Sequence, residues 1–189
     1  MGLLNNSQLA KRSYLQMLGR FLGSWFIGFS FALFYVFMYR VLGVFGNIAF
    51  GFCAMGCMLC LYADYCLKLG GKMSGNVRLH GEKERPKFGL FLGVLSTIPY
   101  YITYVVLWCS KLGVIGNFLG WFKLINSPYL PIIELFASTK TVAAEVSVQK
   151  MIVIGLLPLV SVAVCHMCYK ISYERIDVAQ KVLYKKRED

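Results

Sequence analysis

FGLFLGVLSTIPYYITYVVLWCS, Phe88 to Ser110, runs for 23 residues without an Asp, Glu, Lys or Arg. A hydrocarbon core about 30 Å thick is crossed by about 20 helical residues, so this stretch is long enough to span a bilayer. Three more uncharged runs share its character: Phe21–Tyr39, Val41–Ala63 and Met151–Tyr169, of 19, 23 and 19 residues. In hydrocarbon, backbone amides must pair within their own segment, which makes these runs helices. The alternating segments of about ten residues that an outer-membrane barrel needs are missing. The sequence therefore predicts an all-α integral membrane protein with four transmembrane helices, at about 21–39, 44–66, 88–110 and 151–169. Residues 1–20 then form a cytoplasmic N-terminal segment, 21–169 a membrane helical bundle, and 170–189 a basic amphipathic cytoplasmic tail with Ile176, Ala179, Val182 and Leu183 at helical spacing. The first run exceeds the 7–15 residues of a signal core and ends at Tyr39-Arg40 without a small-residue cleavage site, so it reads as a retained span.

Composition agrees. Of 189 residues, 58% are apolar and 15% charged, against roughly 45–50% and 25% in soluble domains. The net charge of +11 raises the question of nucleic acid, and the placement of the charges answers it. With the N-terminus inside, 15 of the 20 Lys and Arg residues and seven of the nine acids fall on the inner side, which is net +8. This is the bias of the positive-inside rule, so no nucleic acid is needed to explain the basicity. A multi-pass protein of the cell membrane with both termini cytoplasmic is expected. The inner connection Gly70–Lys87 reads as a turn or connector, with Lys72, Arg78, Lys83, Arg85 and Lys87 set to bind anionic lipid headgroups.

The segment Lys111–Lys150 fits less simply. Leu112–Phe122 and Tyr129–Ala137 are apolar but only 11 and 9 residues long, too short to span. Joined as a fifth helix they would carry Lys123 and Glu134 into the bilayer, at about 2.5–3.5 kcal/mol per charge. The prediction over 112–137 is a re-entrant or interfacial pair of short helices, broken at Asn126-Ser127-Pro128, between helices 3 and 4. Trp108, Trp121, Tyr129 and Phe136 would lie at headgroup depth.

Helices in lipid associate where small residues let backbones approach. Gly19, Gly23, Gly28, Gly56, Gly89 and Gly93 form such stripes, and Cys53, Cys57 and Cys60 share a face with Gly56. Pro99 and Pro158 should kink the third and fourth helices. Cys57-Met58-Leu59-Cys60-Leu61-Tyr62 resembles, over about six residues, a segment of the quinone-coupled disulfide-generating membrane proteins of bacteria, themselves four-helix chains of similar length. That resemblance implies an outer dithiol and a second cysteine pair in the second outer loop. Here both Cys-x-x-Cys pairs fall toward the inner ends of their helices, and Lys111–Lys150 has no cysteine. The oxidising relay is therefore not expected. Cys165, His166 and Cys168 are the weak alternative for a metal centre.

No hydrolase elbow, zinc-protease motif or phosphate loop occurs. The expectation is a non-enzymatic membrane subunit that self-associates or binds a larger transporter, with the bilayer and its anionic headgroups as partners and no cofactor. The alternative is a component of a transporter or channel for a small solute or ion, with a path at Asn47, Tyr100, Tyr101, Tyr104 and Glu134. A membrane thiol oxidoreductase or metal-site protein ranks third.

Overall fold

The computed structural model describes residues 6–137 and 142–174, with the side chains of residues 6, 35–42, 44 and 47 outside the description. The expected amphipathic strip at Ile176–Leu183 and the side chain of Asn47 lie outside the described residues. The fold is all-helical, with no strand among the described residues. Four helices are long and apolar enough to cross a membrane: Ser7–Phe34, Ile48–His80, Phe88–Lys111 and Val148–Tyr173.

The first helical run, Asn6–His80, is a hairpin reversed at one residue. Gly43 takes φ 53° and ψ −138°, a conformation open to glycine because it has no Cβ. The two limbs, α1 (Ser7–Phe34) and α2 (Ile48–His80), are antiparallel. The Phe31 and Phe50 rings lie 6.4 Å apart, Ser24 Oγ is 3.5 Å from the Tyr62 hydroxyl, and Arg20 reaches Asp64 at 3.3 Å. Both limbs extend past their uncharged runs. Helix begins at Asn6 and ends at His80, so Gly70 and Gly71 lie inside a helix and not in a connector.

Those glycines serve close approach. The chain continues through α3 (Phe88–Lys111), α4 (Leu119–Ile125), a short 3-10 turn at Ser127–Tyr129, α5 (Leu130–Ala137), α6 (Val148–Leu156) and α7 (Leu159–Tyr173). Helix α7 seats between the hairpin and α3. A Cβ on Gly70 would lie 2.6 Å from the Tyr169 carbonyl oxygen, one on Gly93 would lie 2.8 Å from Val162 Cα, and one on Gly89 would collide with the Tyr169 side chain. Three backbones therefore meet with no side chain between them. The tyrosines of α7 then lock the inner turn: Tyr169 donates to the Arg85 carbonyl at 2.9 Å, and the Arg85 N–H donates to the Tyr173 hydroxyl at 3.2 Å. The 81–87 connection is accordingly an ordered turn.

Pro158 separates α6 from α7, whereas Pro99 stays inside the continuous helix α3. The expected break at Asn126 is present between α4 and α5. Asn117 and Ser110 fix the entry to α4: Ser110 Oγ accepts the Phe118 N–H at 2.9 Å and donates to Gly116 O at 2.9 Å, and Asn117 Oδ1 accepts from Leu119 and Ala143.

Candidate functional site

The α4–α5 pair is where the polar side chains converge. Its tip packs between the hairpin and the last two long helices. A Cβ on Gly28 would meet Pro128 N at 2.6 Å, and one on Gly51 would meet Pro131 Cβ at 3.0 Å. The tip is bonded on several sides. Ser127 Oγ donates to Trp25 O at 3.3 Å, Asn126 Nδ2 donates to Thr103 Oγ1 at 2.9 Å, and the Tyr129 and Ser161 hydroxyls are 2.8 Å apart. Tyr129 lies edge-on to Tyr100, with ring centroids 5.2 Å apart. Tyr129 is enclosed by protein, while Trp121 is exposed. The physical reason is the 3-10 turn, which folds Tyr129 back onto α3 and α7 once the helix breaks at Asn126.

The two charges of this segment neutralise each other. Lys123 Nζ in α4 is 2.9 Å from Glu134 Oε1 in α5, and both side chains are largely buried, at 15% and 18% exposure. The lysine also donates to Ala137 O at 3.4 Å, closing the end of α5. Lys111 ties the following turn down through the Ala144 and Val146 carbonyls.

Tyr100, Tyr101 and Tyr104 share one side of α3, and their hydroxyls all donate to backbone. Tyr100 bonds Ile154 O at 2.7 Å, Tyr101 bonds Gly155 O at 3.2 Å and Tyr104 bonds Met151 O at 2.8 Å. For Tyr100 the cause is Pro158. It has no N–H, so the carbonyl four residues earlier, at Ile154, loses its regular helical donor. Leu157 N reaches that oxygen only at 3.3 Å, and Tyr100 supplies the better bond. Tyr100→Phe is expected to cost about 1–2 kcal/mol by leaving this buried acceptor under-satisfied, and Tyr101→Phe less because Tyr101 is only half-buried. Unfolding midpoints in detergent would check the order; equal stability of both variants and the wild type would remove the strap.

Of the residues singled out in the sequence, the structure brings Tyr100 into contact with Tyr101 and Tyr104. Glu134 sits apart from them on α5, held by Lys123. The void among Ser24, Tyr62, Tyr100, Asn126 and Tyr129 is about 10 Å³, at the threshold for a single water. Thr103 and Ser161 carry no signal in the sequence that marks them, and Asn126 stands out there as a break and not as a hydrogen-bonding group. Its signal for that role is a side chain with both donor and acceptor at a predicted helix break.

The glycines divide into two groups. Gly28, Gly89 and Gly93 are filled by neighbours within the chain, whereas Gly19, Gly23 and Gly56 have nothing within 4 Å. Cys53, Cys57 and Cys60, on the Gly56 side of α2, are exposed. Cys66 on α2 and Cys165 on α7 are both buried free thiols. Cys165, His166 and Cys168 do not form a metal-holding group, and no such group of three occurs among the described residues. His166 Nδ1 is buried and makes no hydrogen bond to any described residue. Lys72, Arg78, Lys83 and Lys87 are exposed and Arg85 is half-buried. No protein-family model, curated protein or solved structure matches this chain.

Proposed function

We propose that this chain is a four-span integral membrane protein, inserted with both termini on the cytoplasmic side, acting as a non-enzymatic subunit that self-associates in the bilayer. Its outer surface supports the membrane part of this reading. Leu15, Phe26, Phe34, Phe52, Ile102 and Val105 are each at least 60% exposed, a belt that water would not favour and hydrocarbon accepts. The α4–α5 pair is read as a re-entrant segment, because Asn126 and Tyr129 reach Thr103, Tyr100 and Ser161 in the middle parts of the Phe88–Lys111 and Val148–Tyr173 stretches, and irregular backbone at that depth needs protein around it.

The observation that carries the association is the unfilled Gly56 face. Where Gly28, Gly89 and Gly93 are met by neighbours in the chain, Gly56 with Cys53, Cys57 and Cys60 offers an unfilled small-residue surface of the kind that pairs helices in lipid. The transport reading draws less support, since the tyrosines it relied on are bonded to carbonyls and the void beside them is no larger than a water. Native mass spectrometry in mild detergent tests the subunit reading. The wild type should appear as an oligomer and Gly56→Leu as a monomer of unchanged thermal stability. A wild type that is monomeric throughout, with nothing co-purifying, would end it.

A further inference from the structure

A second polar surface lies away from the α4–α5 pair, on the hairpin. Between the N-terminal half of α1 and the C-terminal half of α2 runs a groove of about 470 Å³, bordered by Arg12, Gln16, Arg20, Tyr65, Lys68 and Lys72. Four cations face one carboxylate, Asp64, which accepts from Lys68 at 2.7 Å and Arg20 at 3.3 Å. The local balance is thus +3. Arg20 is fixed in place: its guanidinium also donates to Leu61 O at 2.8 Å and lies 5.0 Å over the Tyr65 ring. Arg12 and Lys72 are exposed and make no hydrogen bond or ion pair with any described residue. Gln16 accepts from the Tyr65 hydroxyl through Oε1 at 3.1 Å, which leaves its amide N–H groups as donors. On one side of the groove Gly19 contributes no side chain and meets nothing within 4 Å.

The depth of the groove identifies what fills it. Ser24 and Tyr62 lie beside Tyr129, which packs on Tyr100 near the middle of α3. Arg12 is three helical turns from Ser24, about 18 Å along the axis. That places it near the Phe88 end of α3, where Tyr14 packs on Phe88 and Phe91. The cations thus begin at the edge of the bundle and continue inward. Beyond them toward Gly43 both helices are uncharged, over 21–39 and 41–63. A ligand seated here meets guanidinium and ammonium groups at one end and bare apolar helix at the other.

We infer that this groove is a binding site for an anionic phospholipid, its phosphate held by Arg12, Arg20, Lys68 and Lys72 and its acyl chains laid along the uncharged stretches of α1 and α2. Arginine suits the role because its planar fork matches two phosphate oxygens at once. The inference rests on the reading of these helices as membrane-crossing.

The test is native mass spectrometry of the full chain in detergent, titrated with phosphatidylglycerol or phosphatidylcholine. The wild type should retain phosphatidylglycerol selectively. Arg12→Gln with Lys72→Gln should weaken that retention about thirtyfold, from two basic contacts, with no loss of thermal stability because both side chains are exposed. Lys83→Gln with Lys87→Gln removes the same charge from the inner turn and should change retention less than about threefold. Equal weakening by the two pairs, or full retention by the first, would overturn the site. Release of the lipid by millimolar inorganic phosphate would replace the lipid with a soluble phosphate compound and overturn the acyl part. Failure of the membrane reading is separately visible, as a chain that stays monodisperse when detergent is removed.

Discussion

Gly70→Ala should destabilise the protein by at least the roughly 1–3 kcal/mol of ordinary overpacking, although alanine is the best helix former. A Cβ there would stand 2.6 Å from the Tyr169 carbonyl oxygen and 3.2 Å from Tyr173 N, and backbone atoms cannot swing aside as a side-chain tip can. Helix α7 must move away from α2, which breaks the Tyr169 and Tyr173 bonds to Arg85 as well. Gly75→Ala, in the same helix with nothing within 4 Å, carries the opposite sign: a gain of about 0.5–1 kcal/mol from reduced chain entropy alone. Denaturation in mixed micelles compares the two directly. If both alanines stabilise, the close seating of α7 on α2 is wrong.

The second large effect concerns the α4–α5 ion pair. Lys123→Met leaves Glu134 charged and largely enclosed, at a cost of about 3–5 kcal/mol. Glu134→Leu is expected to be similarly damaging, because the ammonium keeps only the Ala137 carbonyl. Combining them removes both buried charges and should recover most of the loss, since a paired buried charge is often no better than an apolar match. The double-mutant cycle is the measurement. Additive losses would mean the two side chains act independently, contrary to their 2.9 Å separation.

The long helices were legible because one physical rule, the cost of unpaired charge in hydrocarbon, acts on every residue of a run and leaves a gap in the charge pattern. Their ends were less legible. Asn6 to Arg20 and Gly70 to His80 are polar or glycine-rich, yet helical, because the hairpin partner and α7 continue beside them. Gly70-Gly71 illustrates the ambiguity: glycine marks a turn in one setting and a backbone crossing in another, and only the neighbour decides. Tyr100, Tyr101 and Tyr104 stood out as polar groups in an apolar run. Pro158 had already announced an orphan carbonyl at Ile154, but joining the two required knowing that α3 lies against α6. Lys123 and Glu134 are 11 positions apart, outside the spacing at which one helix pairs charges. Only the reversal at Asn126 makes them neighbours.

Helix α7, which seats between the hairpin and α3, is translated after both of them. Chains emerge N-terminus first, and early parts fold while later ones are still being made. Until residues 159–173 leave the ribosome, the bare backbone patches at Gly70, Gly89 and Gly93 have no mate. The hairpin can assemble as soon as α2 is complete, but docking of α3 on it must wait for α7. A chain cut short before residue 159 should therefore leave Gly70, Gly89 and Gly93 uncovered, and limited proteolysis should cut it within α2 and α3 where the full chain resists.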